Sequence, residues 1–180
     1  PDGGAAARKA ERENRAAQAS ATQESGGEPP LQDGDINPAM RAGEALRGGV
    51  VRGIIAAFKE DIDAASEEFG VDGDLMRSII YEEQTHLKPG EAFAEEYLGK
   101  GKTVGLGQIT VGLYGYSREQ LLDSRTNIRV MAQHLAVLGA RGLIRNDAPI
   151  SSLATRYNCG SCSSISAYGR RVAHYYSTVF

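Results

Sequence analysis

One helical segment of the sequence places a carboxylate among apolar residues. At about 100° per residue, the apolar positions of segment 74–87 fall on one stripe, which is formed by Leu75, Met76, Ile79, Ile80 and Leu87. Glu83 falls at the centre of this stripe, whereas Glu82 falls on its flank, where its carboxylate can reach water. Burial disfavours the charged form of a carboxyl and raises its pKa, so Glu83 is expected to hold the proton that a general acid needs. The alternative is a structural ion pair with an arginine of another helix.

A glycine-rich segment follows this helix along the chain. Residues 105–109 read GLGQI, so one amide side chain, Gln108, stands between flexible backbone and an apolar anchor. Glycine at positions 105 and 107 would let a substrate approach the main chain closely. Such loops are common, and the segment alone does not identify a site. Together with Glu83 it predicts that Gly105 and Gln108 contact a substrate.

A third polar segment, residues 157–160 (YNCG), follows a short helix. Tyr157 and Asn158 offer a phenol and an amide that could hydrogen-bond a sugar or a carboxyl group. Cys159 and Cys162 form a C-x-x-C motif with three open interpretations: a local disulfide, free thiols, or a redox or metal site. A zinc site would need further ligands at paired spacing, and no such spacing is seen among the histidines His86, His134 and His174.

Composition excludes some classes of function. Hydrophobic residues make up 41% of the chain, and the longest apolar run, Gly53–Phe58, is far shorter than the ~20 residues that span a bilayer. A net charge of −3 argues against a general nucleic-acid binder. The last quarter of the chain is basic, with a single acid, Asp147, among Arg141, Arg145, Arg156, Arg170 and Arg171. These arginines either face an anionic polymer or form an ordinary solvated surface.

Helical periodicity dominates after an N-terminal region that lacks an apolar face. Residues 1–37 are predicted to be a tether or linker, partly helical or disordered, and residues 38–180 a single domain. Only segment 103–111 (TVGLGQITV) indicates β structure. We therefore expect an all-α, α-rich fold with at most a short β-hairpin. Its predicted helices are Pro38–Leu46, interrupted at Gly48-Gly49, then Val50–Phe69, Asp74–Leu87, Glu91–Leu98, Ser124–Ala140, Ile150–Tyr157 and Ser164–Val179.

In this order the motifs resemble those of the lysozyme-like superfamily, specifically lytic transglycosylases and goose-type lysozymes. The catalytic-helix motif of that family is matched by residues 80–84 (IYEEQ), its Gly-Leu-Met-Gln-Ile by 105–109, and its Ala-Tyr-Asn-x-Gly by 156–160. The family's Asn-Ile helix start resembles Asn127-Ile128. Two departures are Gln84 in place of serine and Gly107 in place of methionine. The run 83–86 (EQTH) is similar to muramidase domains at the C-termini of bacterial type VI secretion effectors.

The resemblance implies a helical domain with a substrate groove that cleaves the β-1,4 bond between N-acetylmuramic acid and N-acetylglucosamine. Glu83 would be the catalytic acid, held in place by Tyr157. The implied substrate-binding residues are Gln84, Gly105, Gln108 and Asn158. A second carboxylate for hydrolysis would come from Glu91, Glu95 or Glu96.

Other properties follow from the resemblance alone. Without a second carboxylate the reaction would be that of a lytic transglycosylase, and a catalytically dead wall-binding or assembly module is the alternative outside enzymes. No metal or cofactor is implied, and no membrane span or nucleic acid is expected. The implied partners are peptidoglycan, an immunity protein and a secretion apparatus. The site of action would be the bacterial periplasm or cell wall, reached by secretion or delivery.

Overall fold

The computed structural model describes residues 28–32, 34–87, 101–141 and 148–180. In these ranges the chain forms seven α-helices and a two-stranded antiparallel hairpin, which confirms the predicted all-α fold with a short β-hairpin. The predicted helix Glu91–Leu98 lies outside the described residues. In chain order the elements are α1 Pro38–Ala57, α2 Lys59–Phe69, α3 Gly73–His86, β1 Thr103–Val104, β2 Ile109–Thr110, a 3-10 turn Leu113–Gly115, α4 Arg118–Leu122, α5 Ser124–Ala140, α6 Ile150–Asn158 and α7 Ala167–Thr178.

Side-chain caps start most of the helices. The Asn37 side chain accepts a hydrogen bond from the Met40 amide, and Asp72 accepts from Asp74 and Leu75 at the start of α3. These bonds satisfy backbone N–H groups that have no partner inside the helix. Asp123 and Ser166 cap α5 and α7 in the same way. The start of α3, the helix that carries Glu82 and Glu83, is thereby fixed by Asp72.

Helix α3 lies at the centre of the fold. It packs against α1, α2, α6 and α7, while α2 and α6 also contact α5. Its residues Met76, Ile79 and Ile80 are fully buried. The hairpin pairs Thr103 with Thr110 and Val104 with Ile109 and lies against α4 and α5. No helix in the described part of the chain is long and apolar enough to cross a membrane.

The prediction of a helix break at Gly48-Gly49 is wrong. Helix α1 runs continuously to Ala57, and the break comes at Phe58, whose φ and ψ of −100° and 17° are not helical. The two buried glycines of α1 allow close packing on α3. A Cβ at Gly43 would lie 2.8 Å from the Thr85 carbonyl oxygen, and one at Gly48 would lie 2.6 Å from the Tyr81 hydroxyl.

Residues just before α1 are attached to the C-terminal helices. The guanidinium of Arg170 donates two hydrogen bonds to the Asp35 carboxylate, at 2.6 and 2.8 Å, and Arg171 donates to the Asp35 carbonyl oxygen. The Glu28 carboxylate accepts from the amide of Ser151 at the start of α6. The Arg170 guanidinium lowers the pKa of Asp35 to about 2.

We expect Gly43→Ala to lower the free energy of unfolding by about 1–3 kcal/mol, because the added Cβ meets backbone that cannot move aside. The matched control is Gly49→Ala in the same helix, where nothing lies within 4 Å of the new Cβ. Alanine favours helices over glycine, so this control is expected to gain about 0.5–1 kcal/mol. Chemical denaturation measures both. A Gly43→Ala protein as stable as the Gly49→Ala protein would contradict the packing argument.

The Asp35–Arg170 pair predicts an acid-dependent loss of stability. A carboxyl whose pKa is lower in the folded than in the unfolded chain stabilises the fold above its unfolded pKa, and this contribution disappears as the pH falls through the folded value, here about 2. Between about pH 5 and about pH 2, the free energy of unfolding should therefore fall less for Asp35→Asn than for the wild type. The difference between the two losses should be roughly 1–2 kcal/mol. Denaturation at several pH values tests this, and parallel curves for the two proteins would disprove it.

Candidate active site

A pocket of about 90 Å³ opens between α3, the hairpin, α5 and α6. Polar and apolar side chains alternate along its wall. Its lining residues are Glu83, Thr103, Gln108, Ile109, Thr110, Leu113, His134, Tyr157 and Asn158. Four of the predicted site residues are thus brought to one place, namely Glu83, Gln108, Tyr157 and Asn158. Glu83 is the only carboxylate among these lining residues.

Glu83 lies half-buried at the pocket wall and is held by a tyrosine of α7. The Tyr168 hydroxyl donates a hydrogen bond of 2.8 Å to Glu83 Oε1. The prediction that Tyr157 holds Glu83 is wrong, because the Tyr157 hydroxyl donates instead to the Gly107 carbonyl oxygen at 2.6 Å. The ring of Tyr168 is buried. The sequence analysis did not identify its hydroxyl as part of the site.

The predicted burial of the two adjacent glutamates is reversed. Glu82 is 2% exposed, and its Oε1 accepts hydrogen bonds of 2.6 and 2.9 Å from Arg171. His86 Nδ1 lies 3.0 Å from Glu82 Oε2. The helical-wheel argument assumed a single buried stripe with a solvated flank, but α1 and α7 cover that flank of α3. The ion pair that was considered for Glu83 therefore belongs to Glu82.

A buried amide fixes the loop between the two strands. Asn127 Oδ1 accepts from the Gly107 amide at 2.8 Å, and its Nδ2 donates to the carbonyl oxygens of Val104 and Leu121, both at 2.9 Å. All of its polar atoms are therefore paired, as a fully buried amide requires. In the sequence Asn127 was recognised only through the family resemblance, as the start of a helix. Here it connects α5 to the loop that carries Gln108.

The glycines of this loop make room for protein side chains. Gly105 has a φ of 79°, and a Cβ there would lie 2.2 Å from Asn127 Nδ2. A Cβ at Gly107 would lie 3.0 Å from both Met131 Sδ and the Tyr157 hydroxyl. The prediction that these glycines admit a substrate to the main chain is therefore not supported by their surroundings. The space left by the absent methionine at position 107 is filled by Met131 and Tyr157.

Gln84 supports the same loop. Its Nε2 donates to the carbonyl oxygens of Gly105 and Leu106, both at 3.0 Å. The structure thus places the Gln84 amide on the loop, outside the lining of the pocket, in contrast to the predicted substrate-binding role. Because Gln84 is adjacent to Glu83, this bond ties the position of the acid to that of the hairpin.

Gln108 lies in the pocket in a constrained conformation. Its φ of 49° is unusual for a residue with a side chain. Its Nε2 donates to the Gly105 carbonyl oxygen at 3.1 Å, and its Oε1 accepts from the Thr103 hydroxyl at 2.9 Å. Asn158, at the end of α6, is exposed and lines the same pocket. These side chains place amides and a hydroxyl in the lining of one pocket.

Electrostatic effects keep the phenols near Glu83 protonated. Burial raises the pKa of Tyr157 and of Tyr168 well above the ordinary value, and the charge of Glu83 raises both further. Each hydroxyl therefore remains a hydrogen-bond donor at neutral pH. Burial, together with the nearby charge of Arg141, lowers the pKa of His134. Its imidazole is therefore neutral at pH 7.

The two cysteines form a disulfide, Cys159–Cys162, directly after Asn158. Among the three interpretations of the C-x-x-C motif, the structure therefore agrees with the local disulfide. In the described ranges no group of three or more histidine, cysteine, aspartate or glutamate side chains could hold a metal ion. The disulfide closes a four-residue ring at the edge of the pocket, so the end of α6 is covalently restrained there.

The basic C-terminal quarter does not form one charged surface. Arg170 and Arg171 are largely buried and are paired with Asp35 and Glu82. Arg156 donates to the Gly160 carbonyl oxygen. The interpretation that these arginines face an anionic polymer therefore fails for Arg170 and Arg171.

The three predicted second carboxylates, Glu91, Glu95 and Glu96, lie outside the described residues. The sequence analysis also missed two members of the site. His134 was considered only as an isolated metal ligand, yet it lines the pocket. Thr103 was taken only as part of a strand. Both come from elements whose relative position the local sequence pattern does not encode.

Comparisons with protein-family models, with curated proteins and with solved structures found no match to this chain.

The reversed glutamates predict opposite stabilities for two matched variants. Glu82→Gln leaves the buried Arg171 without its carboxylate and is expected to lower the free energy of unfolding by about 3–5 kcal/mol. Glu83→Gln keeps an acceptor for the Tyr168 hydroxyl and should change stability by less than about 1 kcal/mol. Thermal or urea denaturation of both proteins tests this. Equal stability of the two variants would contradict the assigned environments.

Proposed function

We propose that this domain cleaves the glycan strands of peptidoglycan by hydrolysis, with Glu83 as the general acid. The observation that carries the proposal is the position of Glu83, the only carboxylate among the residues that line the pocket, beside the amides of Gln108 and Asn158. The choice of the β-1,4 bond of N-acetylmuramic acid as the substrate rests on the motif resemblance. Peptidoglycan lies outside the cytoplasmic membrane, so this activity belongs to the periplasm or cell wall.

Cleavage of a glycosidic bond by general acid catalysis needs a carboxyl that is held in a fixed position beside that bond. The hydrogen bond from Tyr168 fixes the orientation of the Glu83 carboxyl, and a positioned acid is more effective than a mobile one. Glu83 would donate its proton to the bridging oxygen while positive charge develops at the anomeric carbon. The leaving sugar then departs as an alcohol.

The remaining polar side chains of the pocket are suited to hold the sugar. Asn158 and Thr110 are both exposed and line the pocket. Gln108 is restrained by its bonds to Thr103 and Gly105, so its position does not depend on a ligand. Preformed hydrogen-bonding groups of this kind orient a ligand at low entropic cost. We assign Gln108 and Asn158 to the N-acetyl and hydroxyl groups of the substrate.

The test is the digestion of purified peptidoglycan by the wild type and by two matched variants. Glu83→Gln removes the transferable proton while keeping the shape of the side chain, so the rate should fall by about 10²–10⁴-fold. Glu60→Gln makes the same chemical change on the exposed surface of α2 and should leave the rate unchanged. Circular dichroism confirms that both variants are folded.

The products distinguish the possible outcomes. New reducing ends in the mass spectrum support hydrolysis, whereas ends lighter by one water would replace it with a lytic transglycosylase that uses the same acid. Undiminished cleavage by Glu83→Gln would refute the role of Glu83. Binding of the wild type to peptidoglycan without any cleavage would instead support a wall-binding module.

A further inference from the structure

We propose that His134 is the base of this site and takes the proton of the attacking water, an assignment that rests on the proposed function. Hydrolysis with direct attack of water needs a second group that accepts a proton. No second carboxylate lines the pocket in the described part of the chain. The group there that can accept a proton near neutral pH is an imidazole.

His134 and Glu83 both lie near the buried ring of Tyr157. The His134 ring meets the Tyr157 ring edge-on, with 5.6 Å between the ring centroids. Glu83 lies close enough to Tyr157 for its charge to raise the pKa of that phenol. Both side chains also line the same pocket. An acid and a base therefore line the same pocket and share Tyr157 as a neighbour.

Tyr114 controls the orientation of the imidazole. Its hydroxyl lies 2.9 Å from His134 Nδ1, and Nε2 has no hydrogen-bond partner within the described residues. Tyr114 has a φ of 52°, a left-handed conformation that is uncommon for a residue with a side chain. The turn nevertheless holds it against His134. If Nδ1 carries the proton and donates to Tyr114, the lone pair of Nε2 is available to accept one.

The charge around His134 favours the neutral form that a base requires. Arg141 follows at the end of the same helix, and burial and its positive charge both disfavour a protonated imidazole. From the other elements the neighbouring titratable groups are Tyr114 on the turn, Tyr157 on α6 and Glu83 on α3. The two phenols are uncharged, because burial raises the pKa of each. Glu83 lines the same pocket.

The proposed step is balanced without a further reactant. The oxygen of water forms a bond to the anomeric carbon as one of its protons passes to His134 Nε2. The bond from the anomeric carbon to the bridging oxygen breaks, and that oxygen takes the proton of Glu83. Afterwards His134 returns its proton to solvent and Glu83 regains one.

The first test does not depend on activity. Long-range ¹H–¹⁵N correlation spectra of the wild type identify which nitrogen of neutral His134 carries the proton. We expect the proton on Nδ1, with Nε2 unprotonated, and we expect Tyr114→Phe to weaken this preference because the acceptor is lost. A proton on Nε2 in the neutral wild-type ring would overturn the proposal whatever the enzyme does.

The second test uses purified peptidoglycan. His134→Gln keeps a polar side chain but cannot take up a proton, so the rate should fall at least ~100-fold. The rise of the wild-type rate with pH, as His134 loses its proton, should be absent from the residual activity. The matched control is His174→Gln, a histidine of α7 outside the pocket, which should keep the wild-type rate.

The outcomes separate this proposal from the proposed function. Cleavage by the wild type, with loss of activity in both Glu83→Gln and His134→Gln, supports both. Cleavage that survives His134→Gln at more than half the wild-type rate overturns the base assignment and leaves the proposed function intact. A wild type that does not cleave glycan overturns both.

Discussion

The buried ion pair between Glu82 and Arg171 determines how the site is assembled. It joins α3 to α7 in the interior, where a charged group needs a partner to offset the cost of leaving water. One residue further along α3 is Glu83, and one turn earlier on α7 is Tyr168, which holds it. The ion pair therefore sets the relative position of α3 and α7. The same position brings Glu83 to its hydrogen-bond donor, Tyr168. One packing arrangement of α3 and α7 thus produces both the buried Glu82–Arg171 pair and the Glu83 carboxyl at the pocket.

Asn127 provides the second support of the pocket. Its single amide binds the end of β1, the loop that follows it and α4, so the loop that carries Gln108 is tied to α5. Gln84 binds the same loop from α3. The two walls of the pocket are thus connected through side-chain amides rather than through direct backbone pairing.

Local patterns in the sequence were sufficient for most of the fold. The bounds of α5 agree with the prediction, because Asp123 is a clear cap and the apolar spacing is regular. The break in α1 was mispredicted, because the sequence alone does not distinguish a glycine that permits close helix packing from a glycine that ends a helix. For the candidate site, Glu83, Gln108 and Asn158 were placed together correctly. Tyr168 and His134 were not found, because their contacts join residues far apart in the chain and depend on how the helices cross.

The attachment of Asp35 to α7 has a consequence for where the folded unit starts. Its carboxylate accepts hydrogen bonds from Arg170, and its carbonyl oxygen accepts one from Arg171. Both arginines are largely buried. Truncation at the first helix would leave Arg170 without this carboxylate and deprive Arg171 of one acceptor. Arg171 also holds Glu82, so such trimming would weaken the support of the helix that carries Glu83. The residues just before α1 are therefore part of the structure that holds the site in place.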